Sequence, residues 1–410
     1  MEQTTNRRNY WAFIWHASWL ALTVTFTEVN TVLPGLIVTA GGTKIHVGIL
    51  TAIMVGVPML AQLIFAGYLT PRIYKKPFLL AGINFRVLAL LGIAWTLWRF
   101  TSTGSSSIIP LVYLWMLIFA TSGAFAGISY TDILGKSVEG EQRKRFMVLR
   151  QTLASIGVLI SALIARYVLK ATSYPDNYAL LFVLAATCLF IASWGFWAIR
   201  ERPTNIVLER GGLLDIFKFI PRYLKEDPNL RNYVIFNNLA GFAVTLMPFY
   251  IVLANESYGL SGEGVGNFLL ISIIGLILSN IIWSQVVKRW SFRGVLIAWA
   301  ILGGLLPILA LILVATASLK LYMLVFFLGG ASISAQRIAQ EGVLLEISTE
   351  QTRTLYTGIN GAFNLSIALF PLISGILITW LGYWPIFGLG SVAMLLAIFF
   401  ARRLSCVVPA

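Results

Sequence analysis

The sequence predicts an all-α integral membrane protein, with twelve transmembrane helices in two six-helix bundles related by a pseudo-two-fold repeat. Three observations carry this reading. Hydrophobic residues make up 58% of the chain and charged residues 11%, with mean hydropathy +0.83, whereas a soluble domain carries about a quarter charged residues. A helix needs ~20 apolar residues to cross the hydrocarbon layer, so this length with short connections holds about twelve. The chain also repeats itself inside its apolar runs. Thr31-Val32-Leu33-Pro34-Gly35-Leu36-Ile37-Val38 returns as Thr245-Leu246-Met247-Pro248-Phe249-Tyr250-Ile251-Val252, which sets a helix-bending proline at matching depth in two spans.

The first span is placed at 10–39 and read as retained, because it is too long, and too polar at Thr27, Glu28 and Asn30, for a cleaved leader. Further apolar runs follow at 45–70, 77–99, 108–133, 144–170 and 177–199, then at 231–254, 264–287, 292–317, 320–346, 353–380 and 384–402. The two sets keep step: Val47-Gly48 recurs as Val265-Gly266, Arg72 with its lysines as Arg289 with Arg293, and Glu141-Gln142 as Glu350-Gln351. The expected domains are therefore residues 1–199 and 231–410, joined by a polar stretch at 200–230. Within that stretch Leu213, Leu214, Phe217, Ile220 and Leu224 share one helical face, while Asp215, Lys218, Arg222 and Lys225 fall elsewhere. This is the pattern of a helix lying on cytoplasmic headgroups, or of a plain linker helix.

Orientation follows from the thirty Lys and Arg residues, of which 22 lie in the tails and in the loops on the side of the N-terminus and four (Lys44, Arg99, Lys170, Lys320) on the other. Basic loops stay inside, so both termini are expected in the cytoplasm and the number of spans is even. The expected location is the bacterial inner membrane, with the lipid bilayer as surroundings and the monomer as the working unit. The net charge of +14 is mostly this topology signal. Its dispersion over many loops argues against nucleic acid as a partner. Cys188 and Cys406 offer no disulfide framework, and Asn255-Glu256-Ser257 is a glycosylation triplet of a kind common by chance.

Between the second and third spans lies Gly67-Tyr68-Leu69-Thr70-Pro71-Arg72-Ile73-Tyr74-Lys75-Lys76, and Arg200-Glu201-Arg202-Pro203 follows the sixth. With these motifs, twelve spans, inside termini and a repeat, the chain resembles the major facilitator superfamily over nearly its whole length. That family's loop reads G-x-L-x-D-R-x-G-R-K in outline. Here the first glycine, the leucine, the arginine and the basic pair are kept, while Pro71 replaces the acid and Tyr74 the second glycine. The acid's usual contact with the eleventh helix is thereby lost, and the second-half copy at 284–293 is more degenerate. The resemblance implies that the first, fourth, seventh and tenth helices line a central cavity.

Charges inside spans must be neutralised, paired or wetted. Glu28 lies ~25 Å along the first span, beside the route by the resemblance, and is the expected proton-coupling group. The competing reading is a paired structural carboxylate, with Arg86 or Arg337 available as partners. In the tenth span Ser332, Ser334, Gln336, Arg337, Gln340 and Glu341 form a dense polar face, with Gln336 and Gln340, and Arg337 and Glu341, one turn apart. The offset that pairs Glu141 with Glu350 pairs Asp132 with Glu341, which makes these acids gate candidates. The resemblance implies an inward gate of Asp132 with Arg72 or Lys76, and a counterpart of Glu341 with Arg289 or Arg293.

Arg337 maps onto Ile128 and so has no charged twin. An unmatched charge suits an asymmetric substrate, and guanidinium holds a carboxylate or phosphate by two parallel hydrogen bonds. An intrahelical pair with Glu341 competes. Asn30, Asn237, Asn238, Gln336 and Gln340 complete the expected substrate set, although for Asn237 and Asn238, as for Asn360 and Asn364, bonding between helices is the default reading. Arg86 reads as a packing or snorkelling charge, and Arg150 and Arg166 as interfacial ones.

A membrane enzyme is disfavoured, since His16 and His46 stand too far apart and alone for a metal site. No metal or cofactor is expected. Without a Gly-rich phosphate loop the energy source is expected to be an ion gradient, with H+ as the coupling ion. The expected function is secondary active transport of a small polar solute by alternating access, an anionic one suiting Arg337. Proton-antiport export of drugs or metabolites is the alternative, and a sensor or scaffold without flux a remote one.

Overall fold

The computed structural model describes residues 2–69, 72–100, 105–138, 140–203, 213–348 and 353–405. Pro71, Arg210, Glu350, Gln351 and Cys406 of the reading above lie outside them. Among the described residues the regular structure is entirely helical, and nine helices are long and apolar enough to cross a membrane.

The spans expected as single helices at 10–39 and 231–254 are each two. Helix α1 (Glu2–Phe26) stops and α2 (Val32–Thr39) begins after a break at 27–31; later, α9 (Pro228–Val244) stops and α10 (Met247–Tyr258) begins after Thr245 and Leu246. Pro34 and Pro248 stand in the first turns of α2 and α10. There a missing N–H costs no intrahelical bond, whereas inside a continuous helix it would orphan a carbonyl one turn back. The repeated proline therefore restarts the helix in both copies.

Helix α3 (Lys44–Leu69), α4 (Lys76–Phe100), α5 (Ile109–Ser137), α6 (Gly140–Ala171) and α7 (Asp176–Ala198) complete the first half. The amphipathic α8 (Leu213–Glu226) precedes α9. Helix α11 (Gly262–Thr316) covers 55 residues, more than twice what one crossing needs. It turns at Ser291, whose φ is 58°, so that it supplies the two spans expected at 264–287 and 292–317. Helices α12 (Leu319–Ile347), α13 (Arg353–Leu381) and α14 (Tyr383–Arg402) follow.

The chain divides into two compact units, one of residues 1–42 and 53–212 and the other of 43–52 and 213–410. The division differs from the expected 1–199 and 231–410 in one informative respect: the first turns of α3 belong to the second unit. In the first unit α4 packs between α5 and α7, and α1 against α6 and α7. In the second, α11 packs on α12 and α14, and α9 on α13 and α14. Phe236, Trp283 and Trp299 lie in the core of the second unit with Ala331, Ala335 and Ala339 of α12. At that seam a Cβ on Gly330 would stand 1.8 Å from the Ser272 carbonyl oxygen. Small residues there let two backbones touch, the usual way that helices associate in lipid.

Candidate functional site

Glu28 sits in the break between α1 and α2, and the break is built around its carboxylate. Oε2 accepts from the Asn30 amide and the Thr31 hydroxyl, each at 2.8 Å, and Oε1 accepts from Asn30 Nδ2 at 2.8 Å. The Glu28 carbonyl accepts from Leu33 N at 3.1 Å. Unwinding leaves amides without helical partners, and a carboxylate at the positive end of α2 satisfies them well. Arg86, the candidate partner in the same unit, does not bond to Glu28 among the described residues. Asn30, expected to meet substrate, gives one of its two side-chain N–H groups to Glu28.

The start of α4 is organised by two acids. Lys75 Nζ lies 2.7 Å from Asp132 Oδ1, and Lys136 pairs with Asp132 from one turn further along α5. Neither Arg72 nor Lys76, the expected gate partners, reaches Asp132. The Arg72 guanidinium lies 4.6 Å from the centre of the Tyr68 ring, and Lys76 donates to the carbonyls of Trp197 and Ile199 at 2.9 and 2.7 Å. The second acid is Glu201, whose carboxylate takes the backbone amides of Lys75 and Lys76 at 2.7 to 2.9 Å. Glu201 thus caps α4 from a distant part of the chain. The sequence singled out its motif as an exit from the sixth span, and the capping role needed the fold to become visible.

In the second unit, the polar face of α12 divides into two parts. Gln340 Nε2 donates to Asn237 Oδ1 at 3.2 Å, and Asn237 Nδ2 donates to Asn360 Oδ1 at 2.8 Å. Tyr233 donates to the Gln340 carbonyl at 2.8 Å. This chain ties α12, α9 and α13 with Asn237 fully buried, so Gln340 and Asn237 bond helices. Asn238 donates to Val234 of its own helix at 3.0 Å. Ser334, deeper on α12, donates to Asn280 at 2.6 Å, and Asn280 was not among the expected residues.

Arg337 and Glu341, by contrast, are exposed, Gln336 is half-buried, and no hydrogen bond or ion pair of theirs occurs among the described residues. The intrahelical pair between Arg337 and Glu341, the competing reading, is not formed. Nor does Glu341 meet the basic residues expected to close over it: Arg293 donates to the Leu404 carbonyl at 3.1 Å, and Arg289 lies 5.2 Å from the Trp290 ring. Exposed Arg and Glu on a membrane-spanning helix belong beside water, since lipid cannot solvate them.

At the other end of this unit, Lys44 lies 3.2 Å from Glu256 Oε1 and 4.7 Å from the Tyr383 ring, while the Tyr383 hydroxyl donates to Glu256 Oε2 at 2.9 Å. Beneath them a Cβ on Gly48 would stand 2.6 Å from the Pro371 carbonyl oxygen. The glycine allows α3 to lie directly on α13. A second apolar feature is a cavity of about 600 Å³ between α9 and α13, lined by Val234, Leu239, Phe242, Phe363 and Phe370 with Asn238.

A family model described as Major Facilitator Superfamily matches residues 14–298 and, a second time, 234–406. No curated relative matches in sequence. Among solved structures, a POT family transporter in complex with 5-aminolevulinic acid superposes with a TM-score of 0.72 at 13% identity, covering 97% of each chain. The nucleoside transporter NupG gives 0.67 at 12%, covering 96% of this chain and 98% of its own. A bacterial homologue of the human lysosomal transporter Spinster, solved inward-facing and unoccupied, gives 0.60 at 12%, covering 98% and 95%. At these identities the likeness is one of fold.

Proposed function

The chain belongs to the major facilitator superfamily, and from that premise we propose that it is a proton-coupled secondary transporter of a small polar, anionic solute. Its coarser character, a multi-pass membrane transporter and not an enzyme, is that of the family. The observation that supports the finer reading is the unpaired state of Arg337. A guanidinium exposed on a membrane-spanning helix, with Glu341 one turn away yet unbonded, is available to a ligand carboxylate or phosphate. Gln336, its neighbour in sequence, is half-buried.

Proton coupling is assigned to Glu28 because its carboxylate holds the helix break together. Protonation turns an accepting oxygen into a donor, so that Asn30 and Thr31 lose an acceptor and the break must rearrange. Proton occupancy and the shape of the first span are then linked, which is what alternating access requires. Asp132 with Lys75 and Lys136 is proposed as a cytoplasmic gate, and Glu341 with Arg289 or Arg293 as its counterpart in another facing state. Both termini are placed in the cytoplasm, and the bacterial inner membrane is the proposed location.

The test uses proteoliposomes with an imposed pH gradient and a panel of carboxylates, phosphates and uncharged analogues. Uptake of an anionic solute, lost in Arg337→Gln, supports the reading. Equal loss for an uncharged analogue would make Arg337 a support for the helix. The second reading, proton-antiport export of amphiphilic compounds, is favoured by the apolar cavity along α9, and pH-driven efflux of a hydrophobic dye blocked by Phe242→Arg would support it instead.

A further inference from the structure

Arg86 was expected to be a packing or snorkelling charge; it packs into the first unit and does not snorkel. Along α4, Leu79, Ile83, Leu90, Ile93 and Leu97 are buried, and Arg86 falls on the same helical stripe. The exposed residues Leu88, Leu91 and Trp95 occupy the opposite side of the helix. The arginine therefore points into the first unit and away from lipid, the reverse of a snorkelling side chain, whose charge runs out to the interface.

Its guanidinium crosses α5 where that helix has no side chain. A Cβ on Gly123 would stand 3.3 Å from Arg86 Nε and 3.5 Å from Cζ, and the Phe119 ring lies 4.2 Å from Cζ on the same face of α5. Nε is buried without a hydrogen-bond partner. No carboxylate bonds to the guanidinium among the described residues, and Glu28 is engaged in its own break. From α1 the titratable group within electrostatic reach is His16, which packs against Phe196 and bonds the Ala192 carbonyl. It carries no negative charge to offer.

A membrane bundle does not hold an uncompensated cation at no cost, because burying one partner of an ion pair alone is strongly unfavourable. Arg86 is nevertheless only half-buried, so part of the side chain stays accessible. The geometry points to an oxyanion site: we propose that Arg86, seated in the notch at Gly123 above Phe119, binds a carboxylate or phosphate group of a water-soluble ligand by a two-pronged contact. The assignment rests on the transporter reading and places a ligand contact in the first unit, on a helix the sequence reading had set aside.

The test is thermal unfolding of the purified full chain in detergent, with sodium succinate or inorganic phosphate as probes against sodium chloride at equal ionic strength. The wild type is expected to gain apparent stability with either dianion in a saturable way. Arg86→Gln should unfold at or above the wild-type temperature without anion, and should bind the probe about tenfold more weakly or worse. Arg86→Lys should fall between. The proposal is overturned if the wild type responds to neither probe, if Arg86→Gln keeps the full response, or if phosphatidylglycerol stabilises where the soluble anions do not. It is also overturned if Arg337→Gln, and not Arg86→Gln, removes the response. Binding is read here without flux. An anion that binds through Arg86 but is never carried across proteoliposomes would therefore remove the transport reading and leave the site standing.

Discussion

Lys75 Nζ lies 2.7 Å from Asp132 Oδ1, with the lysine side chain 6% exposed and the aspartate 25%. The two residues stand 57 positions apart in sequence, and the contact fixes the start of α4 against the end of α5. Asp132→Asn removes the charge while keeping the shape, and leaves Lys75 enclosed without a counter-ion. The expected cost is about 2 kcal/mol, below that of a fully buried pair because Asp132 is partly wet. Unfolding of the single variants and of Asp132→Asn with Lys75→Met measures it. If the double variant is no more stable than Asp132→Asn alone, the ion pair is not what holds the start of α4.

Glu201 accepts the amides of Lys75 and Lys76 and so serves as a cap borrowed from the end of the sixth span. Glu201→Ala is expected to destabilise by about 1–2 kcal/mol, the range for loss of a helix N-cap. Hydrogen exchange should show the first turn of α4 losing protection while α5 keeps its own. Unchanged exchange at Lys76 to Leu79 would refute the capping role.

Glu28→Gln keeps one accepting oxygen and imitates the protonated acid. Gradient-driven accumulation is expected to vanish in this variant, with substrate exchange retained. Full accumulation against a pH gradient would remove Glu28 from the coupling step and leave it as the cap of a helix break.

Topology is checked by cysteines at Ser173 and Lys225 in a background lacking Cys188 and Cys406. An impermeant maleimide should reach the first from outside intact cells and the second only after permeabilisation, because basic loops stay inside. Labelling of both from one side would contradict the twelve-span arrangement.

Some of the candidate site was legible in the sequence because it depended on local order. Glu28 within a polar interruption, Arg337 without a twin, and Pro34 matched to Pro248 are all readable along the chain. The restart of the helix at both prolines follows from a missing N–H, although the exact break at 27–31 depends on how the freed amides find Glu28. For Asn237 and Gln340 the chain left the role open, because a polar side chain in a span looks the same whether it meets a ligand or a neighbouring helix.

The sequence by itself determined the membrane class, the spans, the repeat and the orientation expected of them, because hydropathy, helix length and loop charge add up along the chain without reference to distant residues. Only the tertiary structure decided which basic residue Asp132 holds, that Glu201 caps α4 from 126 residues away, that the first turns of α3 join the second unit, and that Arg86 faces inward at Gly123. Those choices are pairings between residues far apart in sequence. Several candidates offer the same chemistry at each, and the one that wins is set by which helix faces the packing of the bundle brings together.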